Sequence, residues 1–150
     1  MAGVSTYLNF AGNTEEAFAF YKSVFGTEYL GPVNRMGEAP VPDGAPEPSD
    51  ALKNMILHIA LPITGGHILH GTDAPAEMGF TLVEGNNMYI MVHPDTREEA
   101  DALFAALSAG SGKIEMEMAE QFWGDYFGSF IDRYGIGWMI NVMATEPYAG

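Results

Sequence analysis

One strand–turn–helix pattern occurs twice in this chain, about 82 residues apart. Two copies of one unit dictate an architecture before any local propensity is weighed. In the first copy, Leu8 and Phe10 alternate with Ser5, Tyr7 and Asn9, the period-two pattern of a strand with one face on a core. Ala11-Gly12-Asn13 breaks it. Asn13 then stands at a helix N-cap position, with Glu16 three residues on at capping-box spacing. Ala17, Phe20, Tyr21, Val24 and Phe25 come next at the spacing of one helix face, and Gly26 supplies the stop. In the second copy residues 89–92 form the strand and His93-Pro94-Asp95 the break. Asp95 or Thr96 caps, with Glu98 or Glu99 in the box position; Ala100, Leu103, Phe104 and Leu107 form the stripe, and Gly110 ends it.

The segments C-terminal to the two helices match as well. Extended stretches fall at residues 27–35, 54–61 and 66–72 in the first half, and at 113–118, 126–132 and 136–143 in the second. Each half therefore reads βαβββ. The expected organisation is one domain over residues 1–150, with module one at about 4–75 and module two at about 80–145. The fold class is α+β. In the second of the first-half stretches, Leu57, Ile59 and Leu61 share one face, and Ile56, His58 and Ala60 the other. Residues 37–50 hold Pro40, Pro42, Pro46 and Pro48, which remove ladder donors and mark an irregular insertion. That insertion reads as a solvated excursion, a lid, or an arm onto a partner subunit.

Composition narrows the function classes. With 47% apolar and 17% charged residues, the chain can bury a core and is not disordered. Six Lys plus Arg against 20 Asp plus Glu give a net charge of −14, which argues against nucleic acid and anionic membranes as partners. The absence of cysteine excludes disulfides, thiolate catalysis and Cys-ligated metals. The sequence has neither a basic-then-apolar leader nor an apolar run of membrane-spanning length, so a cytoplasmic protein is expected. Ten methionines read as adaptable core filling or as a pliable pocket wall.

Strand parity supplies the candidate site residues. Trp138 shares a face with Ile140 and Val142 and reads as core; Tyr7, Asn9, Tyr89, Met91, Met139 and Asn141 take the opposite parity and read as the walls of a binding site. Glu115 and Glu117 alternate with Ile114, Met116 and Met118 and read as a solvated face. The run Phe122-Trp123, with Tyr126 and Phe127, reads as core packing or as a ligand wall. His67 and His70 are three apart and point to opposite faces of a strand, so they make no zinc pair; His58 and His70, from neighbouring strands, can cluster; His93, before Pro94, reads as surface. No Ser–His–Asp spacing and no phosphate loop is present.

Tyr7-Leu8-Asn9-Phe10-Ala11-Gly12-Asn13, the helix from Glu15 through Tyr21, the run Phe122-Trp123-Gly124-Asp125-Tyr126-Phe127-Gly128 and the closing run Asp132-Arg133-Tyr134-Gly135-Ile136-Gly137-Trp138-Met139-Ile140-Asn141 resemble the PhnB-like branch of the vicinal oxygen chelate superfamily. That superfamily includes glyoxalase I, bleomycin-resistance proteins and extradiol dioxygenases. The resemblance implies two βαβββ modules forming a curved mixed sheet with helices outside, concave faces lining a cleft, and a homodimer. It also implies a divalent cation held by His, Glu or Gln at positions that fall here on Ser5, on Ile68 or His70, on Asn87 within one residue, and on Met139 or Asn141. Only His70 is an ordinary ligand, so neither metal nor other cofactor is expected. Some members carry a methyltransferase name, yet neither strand-to-helix turn here is glycine-rich, and that activity is not expected. The resulting expectation is a metal-free homodimer that binds a small apolar or aromatic molecule through Tyr7, Asn9, His58, His70, Tyr89, Met91, Phe122, Trp123, Met139 and Asn141. The alternative is a metal-dependent glyoxalase- or dioxygenase-type enzyme using His58 and His70 with Glu77 or Glu84; a third reading is a purely structural or protein-interaction role.

Overall fold

The computed structural model describes residues 1–144, so the expected end of module two at 145 lies outside the described residues. The chain divides into two compact units, Met1–Val83 and Glu84–Gly150, a boundary a few residues inside the expected start of module two.

The first unit runs β1 (Thr6–Phe10), α1 (Thr14–Phe25), β2 (Asn34–Arg35), α2 (Asp50–Asn54), β3 (Ile56–Pro62) and β4 (Ile68–Asp73). Its four-stranded mixed sheet has the order β1-β4-β3-β2, with β1 parallel to β4 and the other pairs antiparallel. Leu8, Phe10, Ile59, Leu61 and Leu69 are buried, as are Thr14, Ala17, Phe18 and Tyr21 of α1. The buried stripe of α1 is thus rotated from the expected one. Phe18 is fully buried, while Phe20, Val24 and Phe25 are half-buried. Gly71 on the central strand β4 explains the rotation: a Cβ there would lie 2.4 Å from Phe18 Cε1. The missing side chain is the slot the Phe18 ring fills, edge-on to Phe10 at 6.2 Å.

Local signals hold unevenly. Asn13 makes no side-chain cap to α1. Asp73 at the end of β4 takes that role: its Oδ1 accepts from the Gly12 N–H (3.1 Å), the Thr14 N–H (3.1 Å) and the Thr14 hydroxyl (2.6 Å), and its Oδ2 accepts from the Ile56 N–H (2.8 Å). The expected extended stretch at 27–35 shortens to β2, because Gly31, at φ +78°, and Pro32 interrupt it. Leu57, expected beside Ile59 and Leu61 in the core, is exposed next to the register shift between β2 and β3, and Ile56 is buried instead. The proline-rich insertion is irregular apart from a 3-10 turn at Met36–Glu38. It is tied down by Lys53–Glu47 (2.6 Å) and by the Ser49 hydroxyl donating to Glu77 (2.8 Å).

The second unit runs β5 (Ile90–Val92), α3 (Arg97–Leu107), β6 (Lys113–Glu120), β7 (Tyr126–Ile131) and β8 (Gly137–Val142). Its mixed sheet has the order β5-β8-β7-β6, again with the first pair parallel. Val92, Ala100, Phe104, Leu107, Phe130, Trp138 and Ile140 form the core. Here the capping signal is realised: Thr96 Oγ1 accepts from the Glu99 N–H (3.1 Å), and the Glu99 carboxylate accepts from the Asp95 N–H (3.2 Å). Trp138 Nε1 donates to Asp132 (2.9 Å), whose other oxygen accepts two backbone N–H groups of the β7–β8 turn. The edge strand β6 runs two residues further than expected and is exposed along most of its length. Among the described residues no helix is long and apolar enough to cross a membrane. Each half therefore has the expected α+β arrangement, a long helix against one four-stranded mixed sheet, and the first half adds the short α2.

Candidate functional site

In each unit the long helix packs on one face of the sheet. The opposite face, here called open, carries the parity-related residues. In the first unit the register sets Tyr7 beside His70, Asn9 beside Thr72 and Asn34 beside His58. The Tyr7 ring stacks on His70 at 5.9 Å and 11°, and lies 6.5 Å from the His58 ring. His58 Nε2 is 2.9 Å from His70 Nδ1. Three of the expected residues, from three strands, thus form one cluster with Asn9 on the same face. In a neutral imidazole pair one ring donates and the other accepts. The donating ring then keeps a free lone pair and the accepting ring a free N–H, so the pair offers a ligand one acceptor and one donor. His67 lies apart, its Nε2 2.8 Å from Thr6 Oγ1.

The second unit repeats the backbone with different chemistry. Register places Met91 beside Met139, Met139 beside Ser129, and Ser129 beside Met116, a row across the whole open face. Tyr89 is the counterpart of Tyr7, but its ring lies over Gly137, where a Cβ would come within 2.9 Å of it. Glycine here replaces the imidazole that Tyr7 meets. The Tyr89 hydroxyl donates to both oxygens of Glu115 (2.8 and 3.0 Å), and this bond to the carboxylate raises the phenol above its ordinary value. Alternation along β6 predicts Glu115 on the solvated face. The β6–β7 register shifts between Ile114 and Met116, and this bulge brings Glu115 under the Tyr89 hydroxyl. Glu115 is exposed, as alternation expects; alternation does not show its meeting with Tyr89, and no glycine marks the bulge in the sequence.

Phe122 and Trp123 do not sit on a sheet face. They form the turn between β6 and β7, closed by Gln121 N–H to Asp125 O (2.7 Å) and Gly124 N–H to Gln121 O (2.9 Å). Phe122 is 99% exposed and Trp123 54%, so core packing is not their role. Asn141 is buried, and its amide donates to Asp125 (3.1 Å). The Ala144 N–H first, then Asn141 and Trp123, hold the Asp125 carboxyl below its ordinary range. Asn141 thus anchors the base of the aromatic hairpin.

The donor set does not fit the divalent cation of the superfamily. Among the described residues no group of three or more His, Asp or Glu side chains is placed to hold an ion. Glu77 is taken up by Ser49, and Glu84 packs over Gly135. The amides at the start of α1, a common anion cradle, are already filled by Asp73.

Residues 2–141 match the model of the family described as 3-demethylubiquinone-9 3-methyltransferase. The chain is 34% identical to protein YjdN of Escherichia coli (strain K12), over 96% of this chain and 97% of that protein. Among solved structures it is similar to protein PA1353 from Pseudomonas aeruginosa, with 30% identity, a TM-score of 0.77, and coverage of 95% of this chain and 98% of that one. It is also similar to the PhnB protein from Bacillus cereus, with 24% identity, a TM-score of 0.71, and coverage of 95% and 100%. The fold is shared with a glyoxalase/bleomycin resistance protein/dioxygenase family enzyme from Burkholderia phytofirmans PsJN, at 19% identity, a TM-score of 0.58, and coverage of 91% and 96%. The chain shares its fold with these last two structures, and it belongs to the family whose model carries the 3-demethylubiquinone-9 3-methyltransferase description.

Proposed function

We propose that this protein is a homodimer that binds a small, largely apolar or aromatic molecule on its open sheet faces without a resident metal ion. The observation that carries the reading is the contrast between the two faces of the first sheet. The face toward α1 is closed with Leu8, Phe10, Ile59, Leu61 and Leu69, whereas the open face presents a stacked Tyr7–His70 pair and a hydrogen-bonded His58. Tyrosine and imidazole offer a flat apolar surface with polar edges, the chemistry of a ligand wall. Tyr89, Met91 and Met139 offer the same in the second unit, with pliable thioethers in place of imidazole. Exposed apolar side chains in the segment that joins the two sheets, Val83 at 83% and Met88 at 80%, support a partner subunit as cover.

The donor set disfavours the metal-dependent alternative, because two imidazoles without a carboxylate hold divalent cations weakly. Methyl transfer is disfavoured by the α1 turn, whose backbone donors Asp73 occupies. Titration of the tryptophan fluorescence with a panel of aromatic compounds tests the proposal. A saturable response is expected, weakened about tenfold by Tyr7→Ala or His70→Ala. No saturable response to any compound overturns it, as does a stoichiometric divalent metal in the purified protein that is lost with His70→Ala.

A further inference from the structure

The open face of the second unit carries a charge that the binding proposal does not use. Glu115 is aimed onto that face by the bulge in β6, and the Tyr89 hydroxyl fixes both of its oxygens. No Lys or Arg nitrogen lies within 4.0 Å of it among the described residues, including Lys113 at the start of the same strand. An ionised carboxylate accepts about four hydrogen bonds, and Tyr89 is its one hydrogen-bond donor among the described residues. Beside it lies the row of Met91, Met139 and Met116, thioethers that favour contact with aromatic rings.

We infer that the second unit selects organic cations: Glu115 pairs with the positive charge of a flat aromatic ligand whose ring lies on the methionine row. The inference rests on the aromatic-binding reading above and specifies the ligand's charge. The phenol holds this exposed carboxylate in one place beside the methionine row, so a flat cation can meet the charge and lay its ring on the thioethers at once. Bulges that re-aim a side chain are over-represented next to functional sites.

The test compares three fluorescent aromatic probes on the full chain: proflavine (cationic), Nile red (neutral) and anilinonaphthalene sulfonate (anionic). Proflavine is expected to bind at one site and most tightly. Glu115→Gln is expected to weaken it about tenfold and leave Nile red unchanged. Glu117→Gln, which removes a carboxylate from the same strand, is expected to leave proflavine within about twofold. Glu115→Lys is expected to reverse the order and favour the sulfonate. Equal losses for Glu115→Gln and Glu117→Gln reduce the effect to general acidity and overturn the inference. Nile red binding as tightly as proflavine, unaltered in the variants, overturns the inference while leaving the aromatic-binding reading standing. Failure of all three probes to bind contradicts both.

Discussion

Asp73 shows how one residue far along the chain can take over a local signal. The sequence places a cap at Asn13, yet the donors at the start of α1 turn to a carboxylate about 60 residues later. No local pattern marks Asp73, because its partners come together only when β1 and β4 pair. Asp73→Ala leaves three backbone N–H groups and the Thr14 hydroxyl without their acceptor, at 4% exposure. A loss of about 3 kcal/mol is expected, read as a lower urea midpoint with an unchanged slope. Asp125 gives a pH-dependent counterpart. Its carboxyl is held down in the folded chain by Ala144 N–H and Asn141, so its contribution is present above the unfolded value and disappears as pH falls through the folded one. The melting temperature of Asp125→Asn should fall below that of the parent at neutral pH, and the gap should close in strong acid. A gap that persists unchanged in acid argues against this role.

Elements follow periodicity where the partner is regular and depart from it where a glycine or bulge intervenes. The two long helices, both strand-to-helix turns and the last two strands of each half are legible, because amphipathic spacing and turn residues act locally; the one-turn α2 is not. The buried stripe of α1 was not, because its rotation toward Phe18 depends on Gly71 in another strand. Gly71→Ala should cost about 2 kcal/mol through overpacking against the Phe18 ring. Combining it with Phe18→Leu should cost less than the sum of the two single changes in chemical denaturation. Strict additivity would show that the two do not share a slot. The aromatic hairpin makes the opposite case. Phe122 is 99% exposed, so Phe122→Ser should change stability by less than about 0.5 kcal/mol. A larger loss would return the residue to a core role.

At the scale of the whole chain, the duplication fixes backbone topology and leaves surface chemistry free. Tyr7 and Tyr89 occupy matching positions, yet one stacks on His70 and the other lies over Gly137 beside Glu115. Strand parity points to Tyr7, His58, His70, Tyr89, Met91 and Met139. It leaves Glu115 exposed, as found, without its bond to Tyr89, and it does not reach Phe122 and Trp123, which a hairpin turn lifts off the sheet. The homodimer reading expects a mass of about twice 16.2 kDa in light scattering, and a monomer at working concentration contradicts it. Ligand contact on the open faces is the central claim, and the ten methionines make it directly measurable. Methyl-labelled methionine NMR, with the tightest compound from the aromatic panel, should show shifts at Met91, Met116 and Met139. Shifts at Met36, Met55 and Met78 instead, or none at saturating ligand, would contradict binding on the open face of the second unit.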